Sequence, residues 1–275
     1  MLFDLNKKQA KLTESLSKII QKEIGDTYIP FSKYMSLALY HPKYGYYNNL
    51  LYKFGSHGDY ITAPLVSELF AVGLSKQIKE IFARDVEHNI LEFGAGNGQL
   101  MLDILANIGS EVEHYYILEL SVSLAHVQQE RLFKEMPKFK DRVTWLTELP
   151  KEFNGVVVGN EILDAIACDV VHWHDGEIYS KVVSSQSDKF VFTDIKANEE
   201  IQELCKNIKQ TENDYTSEIS LERSGFIGSL SDMLNQGVIL LIDYGYGESE
   251  YYSPSRLKGT LRGFFRQHQL DDVLM

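Results

Sequence analysis

Three glycines at alternate positions follow an acid in Ile90-Leu-Glu-Phe-Gly-Ala-Gly-Asn-Gly-Gln-Leu100. The apolar run before them reads as a buried strand. Leu100, Leu102, Ile104, Leu105 and Ile108 after them fall at helical spacing. A strand, a glycine turn and a helix in that order hold a nucleotide-like ligand at the first crossover of a doubly wound sheet. Gly94, Gly96 and Gly98 allow φ > 0 and close backbone approach, though a plain tight turn uses glycine in the same way. The spacing is GxGxG, not the GxGxxG of dinucleotide sites, and no Lys-Ser/Thr follows, which excludes a P-loop. Glu92, at the strand end, can face a cationic or amine-bearing ligand. Glu119 stands about 20 residues beyond the last glycine, where a carboxylate accepts both hydroxyls of a ribose. Together these residues point to S-adenosyl-L-methionine as cofactor rather than NAD.

A second constellation is Asn160-Glu-Ile-Leu-Asp164, at the end of another apolar run. Carboxylates at Glu161 and Asp164 share a face if a helical turn starts there. Such a pair suits a guanidinium or amine: it can grip the cation by bidentate hydrogen bonds. It can also aim one nitrogen at an electrophile and take up its proton. Asn160 or Glu161 would equally cap a following helix, leaving Asp164 solvated. Asp243, in Asp243-Tyr-Gly-Tyr-Gly247, lines the same crevice or simply ends a strand. His172 and His174 share one strand face, but no third ligand stands nearby, so no metal site is expected.

The elements that position these residues read as follows. Helical spacing covers residues 10–24 and 31–40, and one helix is expected over 64–82. Residues 44–64 between them are rich in Gly and Tyr, an ordered loop over a site or an aromatic packing layer. Strands at 89–93, 114–120, 142–146 and 155–159 alternate with helices as far as the third, the pattern of a parallel sheet. Runs at 170–173, 177–183 and 189–194 alternate in polarity and read as an inserted antiparallel subdomain. Helices at 199–209 and 220–234 and a fifth core strand at 238–243 follow. The expected organisation is 1–84, N-terminal helices and lid loop; 85–165, the Rossmann-like core; 166–219, the insertion; and 220–275, the last core helix, strand 5 and tail.

The 275 residues carry a net charge of −12. That charge argues against a nucleic-acid binder, which needs a basic face, and favours a basic partner. Cys168 and Cys205 make no disulfide framework. With no signal peptide and no membrane span evident, a cytoplasmic, bacterial setting is the expectation.

Five stretches carry a resemblance to a known family. They are residues 31–47 (Phe31 to Tyr47), Gly58-Asp-Tyr-Ile-Thr-Ala-Pro64, Glu92 to Gly98, Gly159-Asn-Glu-Ile-Leu-Asp-Ala165 and Ile242-Asp-Tyr-Gly-Tyr246, together with Tyr251, Tyr252, Arg256, Gly259, Thr260 and His268. The chain resembles the MidA-like class I methyltransferases that use S-adenosyl-L-methionine, relatives of the mitochondrial complex I assembly protein arginine methyltransferase. The resemblance implies a doubly wound, Rossmann-like class I α/β fold with an N-terminal helical extension and the inserted subdomain. It implies that Gly94, Gly96, Gly98 and Glu119 form the cofactor site. Asp59, Thr62 and Pro64 would form a lid over its methionine end, and Asn160, Glu161 and Asp164 the substrate-side wall. The implied substrate is a protein arginine, on the model of a respiratory complex I subunit. The family continues beyond residue 275 and there supplies two last strands, so these are expected to be missing, with strand 5 as an open edge that leaves a homodimer open. Two other readings remain: a non-catalytic S-adenosylmethionine-binding assembly factor or scaffold, and a small-molecule methyltransferase.

Overall fold

The computed structural model describes residues 7–49, 62–208, 213–265, 268–270 and 272–274. The chain forms two compact units, each discontinuous in sequence. One is Tyr52–Ala165 with Gly225–Tyr244; the other is Met1–Leu51, Ile166–Ser224 and Gly245–Met275.

In chain order the second of these units begins with α1 (Lys7–Ile24) and α2 (Phe31–Tyr40). The first holds α3 (Ala63–Val66), α4 (Glu68–Phe82), β1 (Asn89–Phe93), α5 (Gln99–Ile108), β2 (His114–Leu118), α6 (Val122–Glu135), β3 (Val143–Leu146) and β4 (Phe153–Asn160). The insertion carries β5 (Asp169–His174), β6 (Glu177–Gln186), β7 (Lys189–Lys196), α7 (Glu199–Cys205) and β8 (Asp214–Ile219). Then come α8 (Leu221–Met233), β9 (Leu234–Ile242), α9 (Glu248–Tyr251) and the short pair β10 (Gly263–Phe265) and β11 (His268–Leu270).

β1, β2, β3, β4 and β9 form a parallel sheet in the order β3-β2-β1-β4-β9. The order reverses at β1, which pairs with β2 on one side and β4 on the other. β1 and β4 are apolar because both their faces are covered. One face packs under α4 and α5, whose Ile78, Leu100, Ile104 and Leu105 join Ile90, Val156 and Val158. Leu91, Phe93 and Val157 on the other meet Leu230 and Met233 of α8. Gly155 and Gly237 lie opposite each other in β4 and β9, with φ +140 and +147. A Cβ on Gly237 would collide with the Gly155 carbonyl oxygen, and one on Gly155 with that of Asn89. Side chains at these points would push three strands apart. Among the described residues no sixth strand pairs with β9. No helix among them is long and apolar enough to cross a membrane.

In the other unit the inserted sheet is antiparallel, in the order β7-β6-β5-β8. Here the structure corrects the sequence reading, which found three of these strands. Residues 214–219 (DYTSEI) mix acids and hydroxyls, so their alternation of buried and open positions is faint in the sequence, yet Tyr215, Ser217 and Glu218 are buried. Ile20, Ile24, Phe31 and Tyr34 of α1 and α2 pack with Val170 and Val183 of this sheet. Glu218 moors the C-terminal segment: its carboxylate accepts from the Thr260 and Leu261 amides, the Thr260 hydroxyl and Tyr251 Oη. The single helix expected over 64–82 is a second correction. Ser67 is extended, ends α3 and caps α4, its hydroxyl accepting from the Leu69 amide at 3.2 Å.

Candidate active site

The ends of β1, β2, β4 and β9 bring most of the sequence candidates to the edge of the sheet where its order reverses, the place where open α/β sheets bind ligands. The glycine turn leaves β1 with φ of +60, +55 and +84 at Gly94, Gly96 and Gly98. Gly98 is the residue before α5, so the turn delivers the backbone to a helix N-terminus. A side-chain-bearing residue would be strained at all three positions, and a Cβ on Gly94 would also press on Ile162.

Glu119 follows β2 directly and is half-buried. Its Oε1 accepts from the Ser121 amide at 2.9 Å and its Oε2 from Gln128 Nε2 at 3.0 Å. Its carboxylate is thus held in one orientation before any ligand arrives. Gln128 escaped the sequence reading. It is fully buried, and its Nε2 also donates to the Gly96 carbonyl at 2.9 Å while its Oε1 accepts from Trp145 Nε1 at 2.8 Å. One amide therefore ties the glycine turn, the acid after β2 and β3 together. The available signal was an amide standing in line with Leu124 and Leu132, four residues either side, on the apolar stripe of α6. Arg131, one position round, donates to the Asn97 carbonyl at 3.1 Å and braces the turn from outside.

Glu92 is only 2% exposed and accepts from Tyr115 Oη at 2.6 Å. Burial pushes its carboxyl up to about 7; the Tyr115 hydrogen bond opposes this and the Glu119 charge adds to it. The sign follows from linkage. Below the ordinary value of 4.5 the carboxyl is neutral in both folded and unfolded chains. As pH rises towards 7 the unfolded chain releases a proton that the folded one keeps, and stability falls, by about 3 kcal/mol once both are ionised. Glu92→Gln removes this titration, so its melting temperature relative to the native chain should rise between pH 5 and pH 8. Thermal melts at the two values check this; a difference independent of pH contradicts it.

On the other side of the switch point, Asn160 ends β4 and Glu161 takes a left-handed φ of +51. No helix begins here: residues 161–166 turn through bends. The turn is held by Asp243, whose Oδ2 accepts from the Leu163 amide at 2.9 Å and the Asp164 amide at 3.3 Å. Asp164 in turn accepts from Tyr244 Oη at 2.7 Å. Glu161 Oε1 lies 3.5 Å from Asn160 Nδ2 and 3.4 Å from the Ala63 amide. Burial, and then the charges of Asp164 and Asp243, raise the Glu161 carboxyl above the ordinary range. Three carboxylates, Glu161, Asp164 and Asp243, thus stand together at the turn beyond the ends of β4 and β9. Thr62 precedes α3, next to the Ala63 that meets Glu161, and Pro64 is buried. Asp59 lies outside the described residues. Tyr251 and Thr260, two of the C-terminal residues of the resemblance, sit in the other unit on Glu218.

Residues 71–275 match the family model described as "Putative S-adenosyl-L-methionine-dependent methyltransferase". A Burkholderia thailandensis protein, whose crystal structure is bound to S-adenosyl-homocysteine, is 33% identical, with a TM-score of 0.93 over 100% of this chain and 73% of its own. The Drosophila melanogaster protein named "Protein arginine methyltransferase NDUFAF7 homolog, mitochondrial" is 26% identical over 95% of this chain. The Mus musculus protein named "Protein arginine methyltransferase NDUFAF7, mitochondrial" is 25% identical over 96%. The chain spans 65% of the length of the Drosophila protein. A match over this much of the sequence settles the family, and the sheet order and close structural likeness settle the class I α/β fold. The chain is a member of the family of S-adenosyl-L-methionine-dependent methyltransferases.

Proposed function

We propose that this chain transfers a methyl group from S-adenosyl-L-methionine to an arginine of a protein. The observation that carries the proposal is the carboxylate wall of Glu161, Asp164 and Asp243, standing at the same switch point as the glycine turn. The residues fit the cofactor. The three positive-φ glycines permit close backbone approach, and Glu119 is a carboxylate already oriented by Ser121 and Gln128. The cofactor supplies an electrophilic methyl on a sulfonium. Glu119 would bind the ribose hydroxyls, and Gly94, Gly96 and Gly98 would line the cofactor's path. Glu161 and Asp164 would hold the guanidinium and orient one nitrogen, with Glu161 taking its proton. The raised Glu161 carboxyl suits that last role, because a base works best when its pKa approaches the working pH. Asn160 and Thr62 would fill the wall and the lid edge.

The names of the fly and mouse relatives support a protein arginine as substrate, and a respiratory complex I subunit is the substrate type to try first. The test uses S-adenosyl-L-methionine labelled on its methyl, a cell lysate and the full chain. Acid hydrolysis of the labelled protein should return methylarginine. Label only in the small-molecule fraction would favour a small-molecule methyltransferase. No label despite cofactor binding would favour a scaffold.

A further inference from the structure

Away from this site, the inserted sheet gathers three metal-ligating side chains. His172 and His174 lie two residues apart on β5 and therefore share a face. Antiparallel pairing sets Asp214 of β8 directly opposite His174. This is the third ligand that sequence spacing did not show, because it arrives from 40 residues away across a strand pair. One ligand atom from each of the three residues lies within 4.8 Å of the other two. Asp214 Oδ1 is 3.3 Å from His172 Nε2 and 2.7 Å from His174 Nδ1.

A second layer supports them. His172 Nδ1 is 2.7 Å from Asp194 Oδ2 on β7, and Asp194 Oδ1 is held by Lys181 Nζ at 3.0 Å. In the tautomer whose Nδ1–H donates to Asp194, His172 presents the Nε2 lone pair towards Asp214. A carboxylate fixing the far nitrogen of a ligating imidazole is the usual support of a zinc-type site. On the other ring, His174 Nε2 is 3.4 Å from Asp175 Oδ2, and Asp175 is steadied by Asn213 Nδ2 at 2.9 Å. The His172 side chain is 17% exposed, while His174 and Asp214 are 45% and 70% exposed. An ion can reach the cluster from solvent with a fixed ligand at its base.

We propose that His172, His174 and Asp214 form a binding site for one divalent transition-metal ion of the zinc type, clipping β5 to β8. Two imidazole nitrogens and one carboxylate oxygen are the donor set of a tetrahedral zinc centre that keeps its fourth position for water. The site lies in the unit that does not contain the glycine turn.

Titration of the metal-free full chain with zinc alone, followed by calorimetry, tests this. One ion should bind per chain. His174→Ala and Asp214→Asn should each weaken that binding at least about tenfold, and Asp194→Asn, which removes only the support, should weaken it by about 10- to 100-fold at unchanged stoichiometry. Cobalt in place of zinc should give the intense visible bands of a tetrahedral site, lost in the His172→Gln and His174→Gln double variant. These positions are at the surface, and circular dichroism verifies that each variant folds. Absence of stoichiometric zinc binding, or binding equally tight in folded His174→Ala and Asp214→Asn chains, would overturn the proposal.

Discussion

Glu161→Gln is expected to lower the turnover of methyl transfer by roughly 10²- to 10⁴-fold, the range supplied by a positioned general base, while leaving the dissociation constant for S-adenosyl-homocysteine unchanged. The amide retains an oxygen to accept from the Ala63 backbone, so the local turn should survive. In the proposed reaction, what disappears is the charge that would orient a guanidinium and the site that would receive its proton. The pH profile gives an independent reading. Burial and the neighbouring Asp164 and Asp243 charges hold the Glu161 carboxyl above its ordinary value. Activity of the native chain should therefore fall as pH drops, with an inflection above that of an ordinary glutamate, and the residual activity of the variant should lack that limb. Normal turnover in the variant removes Glu161 from the chemistry.

Glu119→Ala carries the second large effect, on binding. Hydrogen bonds to a charged group contribute about 1.5–3 kcal/mol each. Loss of two such bonds to a ribose raises the dissociation constant by roughly 100-fold or more, at tenfold per 1.4 kcal/mol. Glu119→Gln keeps an acceptor and should lose about tenfold. Calorimetry with S-adenosyl-homocysteine measures both. The alanine variant also frees the Ser121 amide and Gln128 Nε2, so part of its deficit reflects a loosened glycine turn; the glutamine variant separates the two contributions. Unchanged affinity in both variants contradicts the ribose assignment.

Both residues stand where the sequence could show them. A carboxylate directly after an apolar run needs only the strand to be recognised for its position to follow. The same holds for Asn160, Asp164 and Asp243, each at or just beyond the end of a core strand. That the sheet is parallel was legible from the alternation of short apolar runs and helices; its order β3-β2-β1-β4-β9 came from the structure. Less legible was everything decided by contacts between distant segments. Gln128 reads as one polar residue in a charged helix; its role exists only because Gly96, Glu119 and Trp145 converge on it. β8 carries too little apolar alternation to be seen, yet its Glu218 and Asp214 organise two different parts of their unit. Asp243 illustrates both cases: its place at a strand end was visible, but its use of two backbone amides to shape the 161–166 turn was not. The helical turn that would have put Glu161 and Asp164 on one face does not form: Glu161 takes a left-handed φ of +51, and the chain then bends around Asp243.

Under the proposed function the glycine turn would hold the cofactor, and the carboxylate wall would hold the arginine against its sulfur end. A crystal structure of the full chain with S-adenosyl-homocysteine tests it most directly. The ribose hydroxyls should lie on Glu119, the backbone along Gly94–Gly98 should contact the ligand, and the sulfur end should face Glu161 and Asp164. A ligand bound elsewhere, or one whose sulfur end points away from Glu161 and Asp164, would contradict it.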